Sequence, residues 1–163
     1  MFLSTDPIDQ LYSLRSDKEI MKYIPRSPAT SRDEIVEFLQ LTDEKIAANE
    51  MINWAITIKD LPTMIGTIGY YHIKTEHYRE EIGYMLLPAF QGYGYITKAI
   101  AAVVKYGFNG MRLHSVEVVV DPANIASCKV LKKCGFIKEG YFKENEFYNE
   151  NFLDTVVYSK LDV

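Results

Sequence analysis

At 163 residues the chain suits one domain, residues 1–163, built round one hydrophobic core. Its 48% hydrophobic and 25% charged residues are those of an ordinary globular protein, and no apolar run approaches the roughly 20 residues that span a bilayer. A formal net charge of −4, with no block of basic residues, argues against nucleic-acid binding. The first residues, Met1 to Asp6, lack the basic segment and apolar stretch of a secretory signal, so the expected compartment is the cytoplasm.

In chain order, Asp6-Pro7 predicts a helix start, with Asp6 as N-cap and Pro7 in the first turn, and Ile8, Leu11, Tyr12 and Leu14 form its apolar face. Ser16-Asp17-Lys18-Glu19 reads as a capping box for a short second helix to about Tyr23. Ser31-Arg32-Asp33-Glu34 reads as another, with Ile35, Phe38, Leu39 and Ile46 on one face of the helix it starts. Strands are expected over Met51–Ile58, Met64–Ile73 and Glu80–Leu87, as an antiparallel meander turning first at Leu61-Pro62. Gly66 and Gly69 mark a bulge or close packing. The helical spacing of Ile100, Val103, Val104, Gly107 and Phe108 makes a crossover, so the next strand, Ser115–Asp121, should run parallel to Glu80–Leu87. Asn124 to Cys134 reads as a helix ended by Gly135, and Phe136 to Leu161 as two long strands joined at Asn145–Asn151.

Gln91-Gly92-Tyr93-Gly94-Tyr95-Ile96-Thr97 stands between a strand and a helix. Such a loop turns several backbone N–H groups on one point at the positive end of a helix dipole, which favours phosphate. It is neither of two common phosphate loops: no Lys follows Gly94, and Thr97 occupies the place of a third glycine.

Strand, glycine loop and helix, followed by strand, Asn124-Ile125-Ala126-Ser127 helix and Gly135-Phe136, resemble the GNAT superfamily of acyl-CoA-dependent N-acetyltransferases. Glu81-Ile82-Gly83-Tyr84 and Gly92–Thr97 are most similar to the branch of the ribosomal-protein-alanine N-acetyltransferases, the Rim type. The close match runs from about Arg79 to Phe136. The resemblance implies an α/β fold, with a mixed, mostly antiparallel sheet flanked by helices and two parallel central strands splayed at their C-terminal ends. It implies acetyl-CoA as cosubstrate, its pantetheine arm beside Met85, Leu86 and Leu87 and its pyrophosphate on the N–H groups from Gln91 and Gly92 to Thr97. Ile96 departs from the family's small residue and must point away from the phosphates; Lys98 is either a phosphate contact or a solvated residue.

Transfer of an acetyl group from a thioester to an amine needs a neutral amine, a polarised carbonyl and a stabilised leaving thiolate. Glu81 is the expected base and Glu117 the runner-up; Glu80 and Glu81 point to opposite faces of a strand, so only one faces the cleft. The resemblance gives Asn124 to the cofactor arm and Ser127 to the thiolate; its alternatives are an N-cap and a local hydrogen bonder. The tyrosine many GNAT enzymes carry seven residues after this asparagine is Leu131 here. Cys128, beside Ser127, points to another face, so direct transfer without an acyl-enzyme is expected. Cys128 and Cys134 have neither disulfide nor zinc spacing, and His72, His77 and His114 read as surface or packing residues, so no metal is expected.

The acidic chain fits a cationic amine acceptor, a small molecule or a protein N-terminus, as readily as it fits solubility alone. Tyr23–Ser31 and Phe142–Phe152 are the expected acceptor-side loops. The alternative function is a catalytically silent CoA-binding sensor or partner-binding module. Only Met1 to Ser4 is available for the family's first strand, which exposes the sheet edge at Met51–Ile58, and with the aromatic C-terminal strands this predicts a homodimer.

Overall fold

The computed structural model describes residues 6–163; the expected first strand, Met1 to Ser4, lies outside them. Three N-terminal helices come first. In α1 (Pro7–Ser16), Asp6 Oδ1 accepts the Ile8 N–H at 2.9 Å. In α2 (Lys18–Met21) the cap is Asp17 rather than Ser16: Asp17 Oδ1 accepts the N–H groups of Glu19 and Ile20, while the Ser16 hydroxyl donates back to Tyr12 O. In α3 (Arg32–Ala47), Ser31 Oγ accepts the Glu34 N–H, and the Glu34 carboxylate reaches back to Thr30 instead of Ser31. Ile46 leaves the expected apolar face and is exposed.

The sheet has six strands in the order β1-β2-β3-β4-β6-β5, with β1 (Ile52–Ile58), β2 (Leu61–Tyr70), β3 (Arg79–Leu86), β4 (Ser115–Val120), β5 (Ile137–Tyr148) and β6 (Asn151–Leu161). All neighbours are antiparallel except β3 and β4. The first hairpin turns at Lys59-Asp60, where Asp60 takes φ 69°; Leu61-Pro62 is therefore the start of β2 and not the turn. Pro62 is tolerated there because a strand's first residues need no ladder donor. The last hairpin turns on Asn149-Glu150, both at positive φ, as a two-residue primed turn requires. Asn145 thus lies within β5, and its side-chain oxygen accepts from the Thr155 hydroxyl.

Gly66 and Gly69 allow close packing. A Cβ at Gly66 would stand 2.3 Å from Met85 O, and one at Gly69 2.4 Å from Ile52 O. The register also slips by one residue between Gly66 and Met64.

Helices cover both faces. Leu11, Leu14 and Ile35 of α1 and α3 bury one face together with Leu87. On the other, α4 (Tyr95–Asn109) and α5 (Ile125–Lys133) bury Ile100, Val103, Val104 and Leu131 against Ile68, Ile82, Val116, Val118 and Val156. Gly135, at φ 85°, ends α5: its N–H donates to Lys132 O and that of Phe136 to Leu131 O.

Candidate active site

Parallel pairing of β3 with β4 covers only Arg79–Ser115, Glu80–Val116 and Glu81–Glu117. Beyond that point both strands continue unpaired with each other, β3 to Leu86 and β4 to Val120. The gap opens into a cleft of about 540 Å³ lined by Gly83, Tyr84, Met85, Val118, Val119 and Val120, with Glu81 at its apex and Asn124 and Ser127 on its α5 side. A gap in a sheet leaves strand N–H and C=O groups without ladder partners, which suits an amide-bearing arm. Leu87 is not among those donors: its N–H goes to Ile65 O at 2.8 Å and its side chain lies in the core. Met85 lines the cleft, and the Leu86 carbonyl accepts the Gln91 side-chain N–H at 3.1 Å.

At the end of β3 a 3₁₀ turn, Pro88–Phe90, leads into the glycine loop. Gly92 and Gly94 take φ of 85° and 82°, and a Cβ added at either would meet nothing within 4 Å, so the loop presents a bare, open surface. Gly94 is the N-cap of α4 and supplies no side chain, so the first-turn N–H groups receive no cap from it. Ile96 packs against the core, away from that surface. Tyr93 is exposed, with its ring 5.9 Å from that of Tyr95. Thr97 turns its carbonyl towards the Cys134 thiol, and Lys98 is exposed. The bare surface and the half-unpaired strands fit the diphosphate and the amide arm of CoA.

Period-2 alternation puts Glu81, Gly83 and Met85 on the α1/α3 face of β3, and Glu80, Ile82 and Tyr84 on the α4/α5 face. Glu80 is buried, accepts the Lys74 N–H at 2.8 Å and lines a separate cavity. Glu81 lines the cleft and forms no salt bridge among the described residues. Burial first, then the like charges of Glu117 and Glu146, push its carboxyl above the usual carboxylate range. Glu117, its cross-strand neighbour, is engaged: Arg79 Nε and Nη2 both donate to its Oε2, at 3.0 and 2.9 Å, and Nη2 also reaches Glu139.

On the other face, the Tyr84 phenol and the Ser127 hydroxyl share a short hydrogen bond. Burial pushes the phenol up to about 12 against the opposing effect of that bond. Asn124 Oδ1 accepts the Ser127 N–H at 3.2 Å, so its side chain caps α5 and fixes the turn that carries Ser127. Leu131, one turn further on, is fully buried. Cys128 packs against the core rather than the cleft, and neither cysteine is in a disulfide. His72, read from sequence as a surface or packing residue, stands exposed at the cleft rim. Among the described residues no three His, Cys, Asp or Glu groups stand where they could hold a metal ion.

The sequence places Tyr84 within a motif but gives it no role, it marks Arg26 only as part of the Tyr23–Ser31 loop, and it does not single out Arg15 or Tyr71; all four line the cleft. The alternation of β3 could have assigned Tyr84 to the α5 face; nothing local could have brought Arg15 to the cleft.

A splayed parallel pair in a mostly antiparallel sheet, with an open glycine loop at a helix start, defines an acyl-CoA-dependent acetyltransferase. The family profile of the acetyltransferase (GNAT) domain matches residues 3–137. An uncharacterized N-acetyltransferase of Bacillus subtilis, YoaA, is 31% identical over 93% of this chain and 85% of its own length. The spermidine N-acetyltransferase of Vibrio cholerae, solved with CoA and spermine, superposes with a TM-score of 0.82 at 23% identity, over 99% of this chain and 93% of that one. RimL, an α-N-protein acetyltransferase of ribosomal L7/L12 solved with coenzyme A, superposes at 0.85 with 20% identity, over 95% and 87%. The chain belongs to the GNAT family of N-acetyltransferases, whose cosubstrate is acetyl-CoA. Rim-type and polyamine enzymes both occur among the similar proteins. No described helix is long and apolar enough to cross a membrane.

Proposed function

We propose that this protein moves an acetyl group directly from acetyl-CoA to a primary amine, with Glu81 as general base and the Ser127–Tyr84 pair as the stabiliser of the leaving sulfur. One observation carries the reading. A carboxylate that forms no salt bridge among the described residues and a hydrogen-bonded hydroxyl pair stand on opposite faces of β3, where its pairing with β4 ends.

Acetyl-CoA supplies the activated acyl group. The strand groups beside Met85 and Leu86 hold the arm, and the loop from Gln91 through Gly92, Tyr93, Gly94, Tyr95 and Ile96 to Thr97 holds the diphosphate. Glu81, made a stronger base by the burial and like charges that raise its pKa, takes the ammonium proton, directly or through water. As the N–C bond forms and the C–S bond breaks, negative charge moves to sulfur. A phenol held near 12 does not yield its proton to a thiolate whose ordinary pKa is about 8.5. Tyr84 therefore stays protonated and orients Ser127, whose hydroxyl donates to the sulfur. Once the N–C bond has formed the nitrogen loses its second proton to solvent, and the sulfur's final proton comes from Glu81, which returns the first, or from solvent. Asn124 acts through the cap that positions Ser127.

The acceptor lies on the α1/α3 face, between the loop that carries Arg26 and Ser27 and the β5–β6 hairpin, where the Tyr148 hydroxyl donates to Ser27 Oγ at 3.3 Å. The similar proteins include enzymes that take a polyamine or a protein N-terminus, and both classes belong in the first acceptor screen. Thioester turnover against that panel tests the proposal: thiol release with at least one amine is expected. Tight CoA binding with no turnover on any amine would favour the silent CoA-binding module. A homodimer and a cytoplasmic location are further parts of the proposal; the exposed aromatics of β5 and β6 support the dimer.

A further inference from the structure

The α1/α3 end of the cleft carries positive charge that no salt bridge among the described residues balances. Arg15 of α1 and Arg26 of the α2–α3 loop both line it, and among the described residues neither forms a salt bridge. Arg15 is half-buried, with its guanidinium 3.7 Å over the Phe38 ring, so its position is fixed by stacking and not by a counter-ion. Arg26 is more exposed. The Tyr71 ring lies against Gly83 of β3, where a Cβ would stand 2.9 Å from it. Beside it the Thr67 hydroxyl is buried and, among the described residues, makes no hydrogen bond of normal geometry, although it lies near enough to the Tyr71 phenol to oppose the upward push of burial on that group's pKa.

We propose that these groups are an anion subsite for the acceptor, which is a primary amine carrying its own carboxylate or phosphate. Its ammonium goes to Glu81 at the apex and its anionic group to Arg15 and Arg26, with Thr67 as a further polar contact. The proposal rests on the acetyltransfer reading of the same cleft. Three physical arguments support it. A guanidinium held half out of water beside a second like charge, as Arg15 is beside Arg26, is costly unless a ligand neutralises it, and the guanidinium fork matches carboxylate and phosphate oxygens. Burial chiefly, then the charge of Arg26, lowers the Arg15 pKa to about 10; burial also lowers that of Arg26. An extended polycation would set its second charge against these arginines, so the overall charge of −4 misleads about the site. The Gly92–Thr97 loop supplies a separate anion site for CoA, at the start of α4.

Calorimetry on the CoA-loaded protein tests this without requiring turnover. L-alanine against L-alaninamide reads a free amino-acid carboxylate. L-aspartyl-L-alaninamide against L-asparaginyl-L-alaninamide reads an acidic peptide N-terminus, O-phosphoethanolamine against ethanolamine reads a phosphate, and spermidine is the cationic control. The anionic member of at least one pair should bind roughly 10–100-fold more tightly than its partner. Arg26→Gln and Arg15→Gln should each bring that ratio towards one with CoA affinity unchanged, and Arg26→Lys should keep part of it. Should Arg15→Gln fail to fold for want of its stacking on Phe38, the exposed Arg26 site still decides. Equal binding within every pair, spermidine as the tightest ligand, or a ratio that survives both glutamine variants would overturn the inference. A change in CoA affinity on losing either arginine would assign the arginines to CoA and overturn it as well. An anionic preference in binding with no acetyl transfer to any amine would leave the subsite standing and reject the catalytic reading instead.

Discussion

The phenol of Tyr84 on β3 and the hydroxyl of Ser127 on α5 meet in one hydrogen bond at the gap between β3 and β4. The two residues are 43 positions apart in the chain. If they act as one unit on the leaving sulfur, Tyr84→Phe and Ser127→Ala should each lower kcat by roughly 10²-fold, as loss of a single preorganised donor does. The double variant should be little worse than the poorer single one, because the second deletion removes a group whose partner has already gone. Steady-state kinetics on the four proteins checks this; fully multiplicative losses would separate the two residues.

Glu81→Gln should preserve CoA affinity and lower kcat by roughly 10²–10⁴-fold, and the rising acid limb of the kcat/KM profile should disappear. Stability gives an independent sign. The fold raises the Glu81 pKa, so it disfavours the charged form. Relative to the glutamine variant, the wild type therefore loses stability as pH rises from about 4.3, the unfolded value, through the higher folded value. Thermal melts should show Glu81→Gln the more stable protein at pH 8, with the difference vanishing by pH 4.

Arg79 holds Glu117 through two hydrogen bonds, directly beside Glu81 in the sheet register. Arg79→Gln leaves the Glu117 charge uncompensated next to Glu81. The acid limb of the rate profile should then shift to higher pH, while kcat at high pH stays near wild type. A shift to lower pH would contradict the like-charge account.

Gly94→Val tests the loop. The space around Gly94 is open, so the substitution adds backbone strain at φ 82° and no clash, of about 1–2 kcal/mol for an L residue. CoA should bind more weakly and pantetheine, which lacks the diphosphate, should bind as before. Equal losses for both by calorimetry would remove the diphosphate from this loop.

Light scattering over a concentration series should give a dimer, twice the 18.8 kDa chain. Phe142 and Phe147 are exposed and belong in the test; Tyr148 is half-buried and held to Ser27, so it does not. Phe142→Asp or Phe147→Asp should dissociate the dimer without lowering helix content. A mass near that of one chain at high concentration would remove it.

The sequence by itself determined the order of the elements, the glycine loop, the parallel crossover and the opposed faces of Glu80 and Glu81. These are local: period-2 and period-3.6 patterns, caps and positive-φ glycines are written within a few residues. Turn placement was missed at Asp60, because a non-glycine residue adopts the left-handed region one position before the Leu61-Pro62 expected to mark the turn; the second turn falls within the expected Asn145–Asn151, and only the structure narrows it to Asn149-Glu150. What only the tertiary structure decided is which distant side chains meet. Arg79 takes Glu117 and so leaves Glu81 without a counter-ion, Leu131 turns into the core while Tyr84 reaches Ser127, and Arg15 comes to the cleft because α1 packs on α3 and stacks it over Phe38. Such meetings depend on sheet register and helix packing, which arise from burial of apolar surface across the whole chain and which no single stretch of sequence encodes.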